Sequence, residues 1–186
     1  MLDDARGEEM AQCILKAREE ADSVGGVTET VICGTPAGVG EPWFDSVESI
    51  ISHAAFSLGG VKGIEFGAGF AAADMKGSEC NDPFRVSGGR IVTTTNNNGG
   101  INGGITNGMP IIFRCAVKPT PSIAQTQDTV DFIKNENTQL SIHGRHDPAI
   151  IRRICPVLDS VAALCVADML SLRYGTDVLT KGVDDK

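Results

Sequence analysis

Apolar residues recur at helical spacing in three segments of the chain. The first segment predicts a helix over residues 3–23. The second predicts a helix over residues 42–58, whose apolar stripe starts at Phe44 and whose early proline suits the first helical turn. The third predicts a long helix over residues 151–172, with a kink or a restart at Pro156, because proline lacks an amide donor.

Between these helices, β-rich or alternating runs predict strands at residues 27–33, 61–66, 90–95 and 110–117. Residues 67–89 are polar and rich in glycine, which predicts a long loop. Residues 122–138 fit neither period clearly, and residues 176–186 form a polar tail. The order of elements predicts a single α+β domain over residues 1–186, with helices packed against a mostly antiparallel sheet.

Composition and charge narrow the classes of function. The chain has 186 residues, 41% of them apolar, and a formal net charge of −8. These values fit a globular protein and disfavour nonspecific nucleic-acid binding. We expect no apolar run as long as a membrane span, and the acidic start at Asp3 and Asp4 predicts no signal peptide. The six cysteines form no CxxC pair and no metal-ligand spacing, so we expect reduced thiols, several of them in the core, of a cytosolic protein without a metal site.

Glycine and asparagine are concentrated at residues 96–100 and 103–104, more densely than a helix or a strand tolerates. Such a loop is either a flexible hairpin of Asn-Gly turns or a nest of backbone N–H groups that binds an anion. A Lys-Pro-Thr-Pro-Ser turn at residues 118–122 follows a short predicted strand. Its cation and hydroxyl groups suit a phosphate or the polar edge of a flavin, although ordinary surface turns also have this composition.

Two cationic side chains adjoin a carboxylate at residues 143–148, His-Gly-Arg-His-Asp-Pro. One interpretation is structural: Asp147 caps the long helix and the next residue, a proline, is its first position. The other is catalytic, because Arg145 and His146 favour the ionised carboxylate that a general base requires. His143 suits a surface position or a proton shuttle. The basic residues that could hold an anionic substrate are Arg85, Arg90, Arg114, Lys118, Arg145, Arg152 and Arg153.

These segments occur in the order that is typical of one enzyme family. The loop, the turn and residues 144–148 match the patterns NxxGGixGG, KPTxS and GRHDP. Further matches lie at residues 22–26, 36–45 and 61–70. On these residues the chain resembles the C-terminal half of chorismate synthase, and the resemblance covers essentially the whole chain.

The resemblance implies a β-α-β sandwich with helices packed between antiparallel sheets, usually assembled as a homotetramer. It also implies an FMN-dependent lyase that removes phosphate from 5-enolpyruvylshikimate 3-phosphate by 1,4-anti elimination, giving chorismate with reduced FMN and no net redox change. Asp147 would help flavin N5 to accept the proton from C6, and Arg145 would stabilise negative charge near the anionic substrate. The implied cofactor-binding residues are Gly59, Gly60, Gly103, Lys118, Pro119, Thr120, Pro121, Ser122 and Arg145.

Departures from the family pattern keep other hypotheses open. Ala149 replaces a frequent cysteine, and Asp159 replaces the usual glutamate. The N-terminal GESHG motif and the Ser-Arg-rich motif, which supply the family's catalytic histidines and most phosphate-binding arginines, do not occur in the 186 residues. A second hypothesis is therefore a non-catalytic flavin-binding or assembly fragment that retains the fold. A third is an unrelated α+β interaction domain. Expressed alone, the chain is expected to expose an apolar face and to oligomerise or be poorly soluble.

Overall fold

The computed structural model describes residues 3–144 and 146–182. The helices are α1 (Asp4–Glu19), α2 (Val47–Phe56), α3 (Gly77–Cys80), α4 (Ile151–Tyr174) and α5 (Val178–Lys181). The strands are β1 (Gly26–Ile32), β2 (Val61–Phe66), β3 (Phe84–Ser87), β4 (Arg90–Thr93), β5 (Ile101–Asn102), β6 (Ile105–Thr106), β7 (Ile111–Val117), β8 (Gln127–Asp131) and β9 (Glu136–Leu140). Helices combined with antiparallel strand pairs confirm the predicted α+β class.

A three-stranded antiparallel sheet in the order β1-β7-β2 forms the centre of the fold. Every second side chain of β7 is apolar and buried, as the predicted alternation requires: Ile111, Phe113, Cys115 and Val117. These side chains join α2 and α4 in one hydrophobic core. The remaining described strands pair as the hairpins β3-β4, β5-β6 and β8-β9.

Helix α4 covers the central sheet and buries one apolar stripe. The buried residues are Ile154, Leu158, Ala162, Cys165 and Met169, three or four positions apart. The predicted restart at Pro156 is not found, because α4 is one continuous helix through that residue, and the predicted kink stays a prediction. By length and composition α4 could cross a membrane, contrary to the expectation that no apolar segment is long enough. Of the most apolar 18-residue stretch of this helix, 33% is buried inside the protein. It contacts β1 and α2, as the core helix of a globular protein does.

The second helix begins later than predicted. Residues Trp43–Asp45 form a 3-10 turn, and α2 starts after Ser46, whose hydroxyl accepts a hydrogen bond from the amide of Ser49 at 3.1 Å. Trp43 has a φ of 69°, which is unusual for a bulky residue. Because of this turn Trp43 and Phe44 are each 86% exposed, so the predicted place of Phe44 in the buried stripe is wrong.

The segment predicted as a long loop, residues 67–89, holds regular structure instead. It contains a 3-10 helix (Gly69–Asp74), α3 and β3, and β3 pairs with β4. All four residues of β3 are exposed, so no alternating burial pattern marks it as a strand. The ambiguous residues 122–138 supply β8 and the start of β9, which are also largely exposed. The polar tail includes α5, and residues 183–186 lie outside the described residues.

All six cysteines are free thiols, and Cys115 and Cys165 lie in the core, as expected for several of them. Burial raises the pKa of the Cys115 thiol to about 11. Burial also raises the pKa of Cys165, and the charge of Asp168 adds to that effect. Both thiols are therefore protonated and unreactive at neutral pH.

Candidate active site

Gly59 and Gly60 lie beside Lys118 at one end of the central sheet. The amide of Lys118 donates to the carbonyl of Gly60 at 2.8 Å. Gly60 has a φ of 101°, and a side chain there would also approach Ile150, so glycine is required. Gly59 has open space around it, and the side chain of Lys118 is exposed. The structure thus places two of the predicted cofactor-binding segments together.

A hydrogen bond from Ser23 connects the 118–122 turn to the segment that precedes β1. Its hydroxyl donates to the carbonyl of Thr120 at 2.6 Å, although the two residues are 97 positions apart in sequence. The hydroxyl of Thr120 is buried and has no hydrogen-bond partner among the described residues, which is uncommon for such a group. Pro119 and Pro121 are exposed. The turn is therefore held by its backbone and keeps unused hydrogen-bonding capacity.

Val24, the residue after Ser23, connects this turn to the His-Asp-Pro segment at residues 146–148. Its amide donates to the carbonyl of Pro148 at 2.8 Å. Ser23 and Val24 therefore bridge two motifs that are separated by a hairpin in sequence. No role for these residues follows from their composition alone, and only their place between the two motifs gives them one.

Asp147 is a turn residue rather than the cap of α4. The helix begins at Ile151, so the predicted cap position of Asp147 and first-turn position of Pro148 are wrong. Oδ1 of Asp147 accepts from the amide of Ala149 at 3.3 Å, and Oδ2 lies 3.0 Å from Nε of Arg153. The side chain of Arg153 is 82% exposed, so this ion pair adds little stability, but it orients the carboxylate and sets a cation beside it.

The sequence predicted that Arg145 and His146 would place positive charge beside Asp147. His146 instead has its Nε2 atom 2.9 Å from the carbonyl oxygen of Ile142. Arg145 lies outside the described residues, so its roles in catalysis and FMN binding stay predictions. His143 is exposed, in agreement with a surface position. Among the described residues, the cation that lies at Asp147 is Arg153.

A cleft of about 230 Å³ lies between these segments. Its walls include Arg18, Asp22, Ser122, His146 and Asp147, so it carries charges of both signs and a hydroxyl. Such walls can hydrogen-bond a polar ligand and exchange a proton with it. A larger and more apolar cleft of about 310 Å³ between α1 and β1 includes Arg152 but none of the predicted catalytic or cofactor-binding residues. We use the name open end of the sheet for this group of residues: Gly59, Gly60, residues 22–24, residues 118–122 and Asp147.

Gly103, the other predicted cofactor residue, lies at the opposite end of α2. It forms the tip of the β5-β6 hairpin, with a φ of 60° and open space around it. The neighbouring carbonyl of Gly104 accepts from the amide of Val47, the first residue of α2, at 3.0 Å. Gly60 follows the other end of this helix, whose ten residues span about 15 Å. The structure therefore does not bring Gly103 next to Lys118.

The 96–100 loop already holds an anion, the carboxylate of Asp82. Oδ1 accepts from the amide of Asn97 and the hydroxyl of Thr95, both at 2.7 Å. Oδ2 accepts from the backbone and side-chain amides of Asn98, both at 2.8 Å. Burial raises the pKa of Asp82, but the four hydrogen bonds outweigh it and leave the pKa below the ordinary value of 3.8. The interpretation of this loop as a nest for an external anion is therefore wrong.

The backbone at Gly67 crosses close to the backbone at Gly99 at the base of this loop. A Cβ at Gly67 would lie within 3.0 Å of the backbone of Asn97 and Gly99, and a Cβ at Gly99 would meet the backbone of Gly67 equally closely. The amide of Ala68 donates to the carbonyl of Asn97 at 2.7 Å. We call Asp82 and residues 95–104 the closed end, because their polar groups bind mainly one another and adjoining backbone.

Arg114 was a candidate for binding an anionic substrate, but its charge is already paired. Its Nε atom lies 2.8 Å from Oε1 of Glu65, out of line for a hydrogen bond, so this contact is electrostatic. A second guanidinium nitrogen donates to the carbonyl of Gly67 at 2.8 Å. Arg114 therefore stabilises the outer face of the sheet, while the exposed Lys118 stays available to a ligand.

Three residues that matter here were not predicted as site residues. Ser23 lies in a matched segment, but the residues gave it no role. Asp82 lies in the segment predicted as a loop, with only the asparagines 15 and 16 positions later to suggest that it binds them. Arg153 was included among the basic residues, but its pairing with Asp147 depends on where α4 begins.

Residues 1–171 match a family model that is described as chorismate synthase. The chain belongs to the chorismate synthase family. The chorismate synthase of Methanosarcina acetivorans is 52% identical over 168 residues, which cover 90% of this chain and 46% of that protein. The chorismate synthase of Thermococcus gammatolerans is 47% identical over 166 residues, which cover 89% of this chain and 47% of that protein.

A crystal structure of chorismate synthase has the same fold. It matches with a TM-score of 0.74 and 31% sequence identity, and the match covers 91% of this chain and 44% of that one. This likeness confirms the predicted chorismate synthase type of fold. The chain spans about half the length of the curated chorismate synthases that it matches.

Proposed function

We propose that this chain supplies the C-terminal half of a chorismate synthase, a carbon–oxygen lyase that eliminates phosphate from 5-enolpyruvylshikimate 3-phosphate to give chorismate for aromatic amino-acid biosynthesis. One observation carries the proposal. In a chain of this family, Ser23 binds the 118–122 turn and Val24 binds Pro148, so the turn that carries Lys118 lies beside the segment of Asp147, and Ser122 and Asp147 border one polar cleft.

The residues of the open end fit reduced FMN. Lys118 offers an exposed cation to a phosphate or a flavin oxygen, and Thr120 offers a hydroxyl without a partner in the described part of the chain. Gly59 leaves the backbone accessible, and Gly60 supplies the positive φ of the turn beside it. Pro119 and Pro121 stiffen the 118–122 turn, and Ser122 borders the cleft. When bound, the reduced flavin would supply an acceptor for the proton from C6, with no net redox change. Gly103 is proposed as a contact from the far end of α2.

We propose that Asp147 accepts or passes on the proton that the substrate loses. Its carboxylate borders the cleft, and its two oxygens are oriented by Ala149 and Arg153. A carboxylate so fixed can accept or pass a proton without first reorganising. We propose that Arg145 stabilises negative charge on the substrate. Local cations are needed there, because the net charge of −8 repels an anionic substrate at long range.

We propose that the whole enzyme is a cytoplasmic homo-oligomer, a tetramer as is usual in the family, without a nucleic-acid or membrane partner. Large apolar side chains on the surface of this chain support an assembly in which further protein covers them. Those exposed by more than 70% include Trp43, Phe44, Phe70, Phe132, Leu164 and Leu172.

The test is complementation. The chain is co-expressed with the half of the Methanosarcina acetivorans chorismate synthase that it does not match, and chorismate formation with reduced FMN is measured. We expect activity from the pair and none from either half alone. A soluble complex of the two halves that makes no chorismate would contradict the proposal. Activity of this chain by itself would show that its own residues, including His143 or His146, suffice for proton transfer.

A further inference from the structure

Asp82 is a buried carboxylate without a cationic partner in the described part of the chain. It is 8% exposed, and it forms no ion pair there with a lysine or an arginine. Transfer of a carboxylate from water into such a site is unfavourable unless hydrogen bonds replace its hydration. Asp82 has four of them, two from backbone amides and two from side chains, all at 2.7 or 2.8 Å. Its surroundings are those of a bound anion.

The loop that surrounds Asp82 leads directly into the β5-β6 hairpin. The side chain of Asn96 donates to the carbonyl of Pro110 at 2.8 Å and accepts from the amide of Gly100 at 2.7 Å. The carbonyl of Gly100 accepts in turn from the amide of Asn107, just beyond the hairpin, at 2.9 Å. The amide of Ile101, the first residue of the hairpin, donates to the carbonyl of Asn98 at 3.3 Å, so fixing residues 97 and 98 also fixes the start of the hairpin.

We propose that Asp82 is the resident anion of the 96–100 loop and that, through this loop, it positions the β5-β6 hairpin. Asp82 is thus a positioning residue, far from the cleft that contains Asp147. Its importance for FMN rests on the proposed function, in which the hairpin tip at Gly103 contacts the cofactor. The positioning itself is a property of this chain and does not depend on a flavin.

Amide hydrogen exchange of the chain without flavin tests the positioning. In Asp82→Asn the side chain keeps its size, but its NH2 group faces donors that now lack an acceptor. We expect the exchange protection of the Asn97, Asn98 and Asn107 amides to fall by about 10-fold or more. The amides of the central strand β7 should keep theirs. Asp74→Asn, which removes an exposed carboxylate nearby, is the matched control and should change neither.

Chemical rescue separates the role of the anion from that of packing. Asp82→Ala leaves four donors around an empty site, so added formate should restore protection at Asn97 and Asn98 in a saturable way. Chloride at equal ionic strength is the control for general salt effects. Protection that is unchanged in Asp82→Asn, or lost in Asp82→Ala without recovery in formate, would overturn the proposal.

A second pair of variants covers the case in which Asp82→Asn also lowers the protection of β7. Thr95→Val removes only one of the four donors, whereas Thr95→Ser retains the hydroxyl. Local loss of protection in the first variant and not in the second supports the proposal, and equal behaviour of both contradicts it. FMN titration of Asp82→Asn is a separate measurement. Unchanged affinity together with a loosened loop would overturn only the link to the cofactor.

Discussion

The two ends of the central strand β7 differ in what their polar groups bind. At the closed end, the amides of Asn97 and Asn98 already bind the carboxylate of Asp82. At the open end, Lys118 is exposed and the hydroxyl of Thr120 has no partner among the described residues. Both ends are turns rich in glycine, proline and polar residues. Such a composition therefore marks a ligand site only where the chain does not satisfy its own donors.

We expect the carboxylate of the open end, Asp147, to be the most sensitive position. In the complemented enzyme, Asp147→Asn should lower turnover by roughly 10²-fold or more, because it removes the proposed proton acceptor. FMN affinity should change little, and Asp74→Asn should leave turnover unchanged. Steady-state chorismate formation measures the effect. Full activity of Asp147→Asn would leave this residue as a turn residue paired with Arg153 and no more.

FMN affinity tests the exposed cation next. Lys118→Ala should weaken FMN binding by about 10- to 100-fold, because a charge-assisted contact contributes roughly 1.5–3 kcal/mol. Lys62→Ala, an exposed lysine on the neighbouring strand β2, is the matched control and should bind FMN as the unchanged chain does. Gly103→Val asks whether the flavin also reaches the closed end, and we expect weaker binding by calorimetry. Normal affinity in both Lys118→Ala and Gly103→Val would place the flavin elsewhere.

A smaller effect is expected at the bridge between the two motifs. Ser23→Ala removes the hydrogen bond to Thr120 and should weaken FMN binding about 5-fold, since one neutral hydrogen bond contributes roughly 1 kcal/mol. Ser57→Ala removes a hydroxyl-to-carbonyl bond of the same length, 2.6 Å, at the exposed end of α2. It should not change the affinity. Equal titration curves for the two variants would show that the bridge does not hold the turn for the cofactor.

The smallest effect is a pH dependence of stability at the closed end. The folded-state pKa of Asp82 lies below the ordinary value of 3.8, so its stabilising contribution is fully present above that value. It is lost as the pH falls from about 3.8 through the lowered folded-state pKa. Denaturant unfolding at several pH values should therefore show a steeper acid loss in the unchanged chain than in Asp82→Asn. Parallel curves for both proteins would contradict this.

The central part of the fold was predictable because its burial is periodic. The alternation of β7 and the stripe of α4 place apolar side chains at spacings that only one secondary structure satisfies. The strand β3 and the hairpin β8-β9 were not predictable, because both of their faces are exposed and no alternation results. The start of α2 was missed because Phe44 continues the apolar spacing of this helix in the sequence, although Trp43–Asp45 form a separate 3-10 turn.

The site was predictable only as far as its motifs are local. The 118–122 turn and Asp147 could be proposed as candidates from the sequence, because each has its charged and hydroxyl groups within a few residues, and their roles stay predictions. The contact of Ser23 with Thr120 joins residues 97 positions apart, and no sequence period encodes such a distance. The ligand of the 96–100 loop could not be foreseen either, since an empty nest and one filled by Asp82 have the same glycines and asparagines.

The close approach of the backbones at Gly67 and Gly99 limits which substitutions this sequence accepts. In a saturation library, both positions should reject every replacement, because any Cβ would occupy space that belongs to another stretch of backbone. Gly77 has open space and no positive φ, so the same library should accept many residues there. A cysteine for a spin label or a fluorophore can therefore be introduced at Gly77, while the codons for Gly67 and Gly99 are best left fixed.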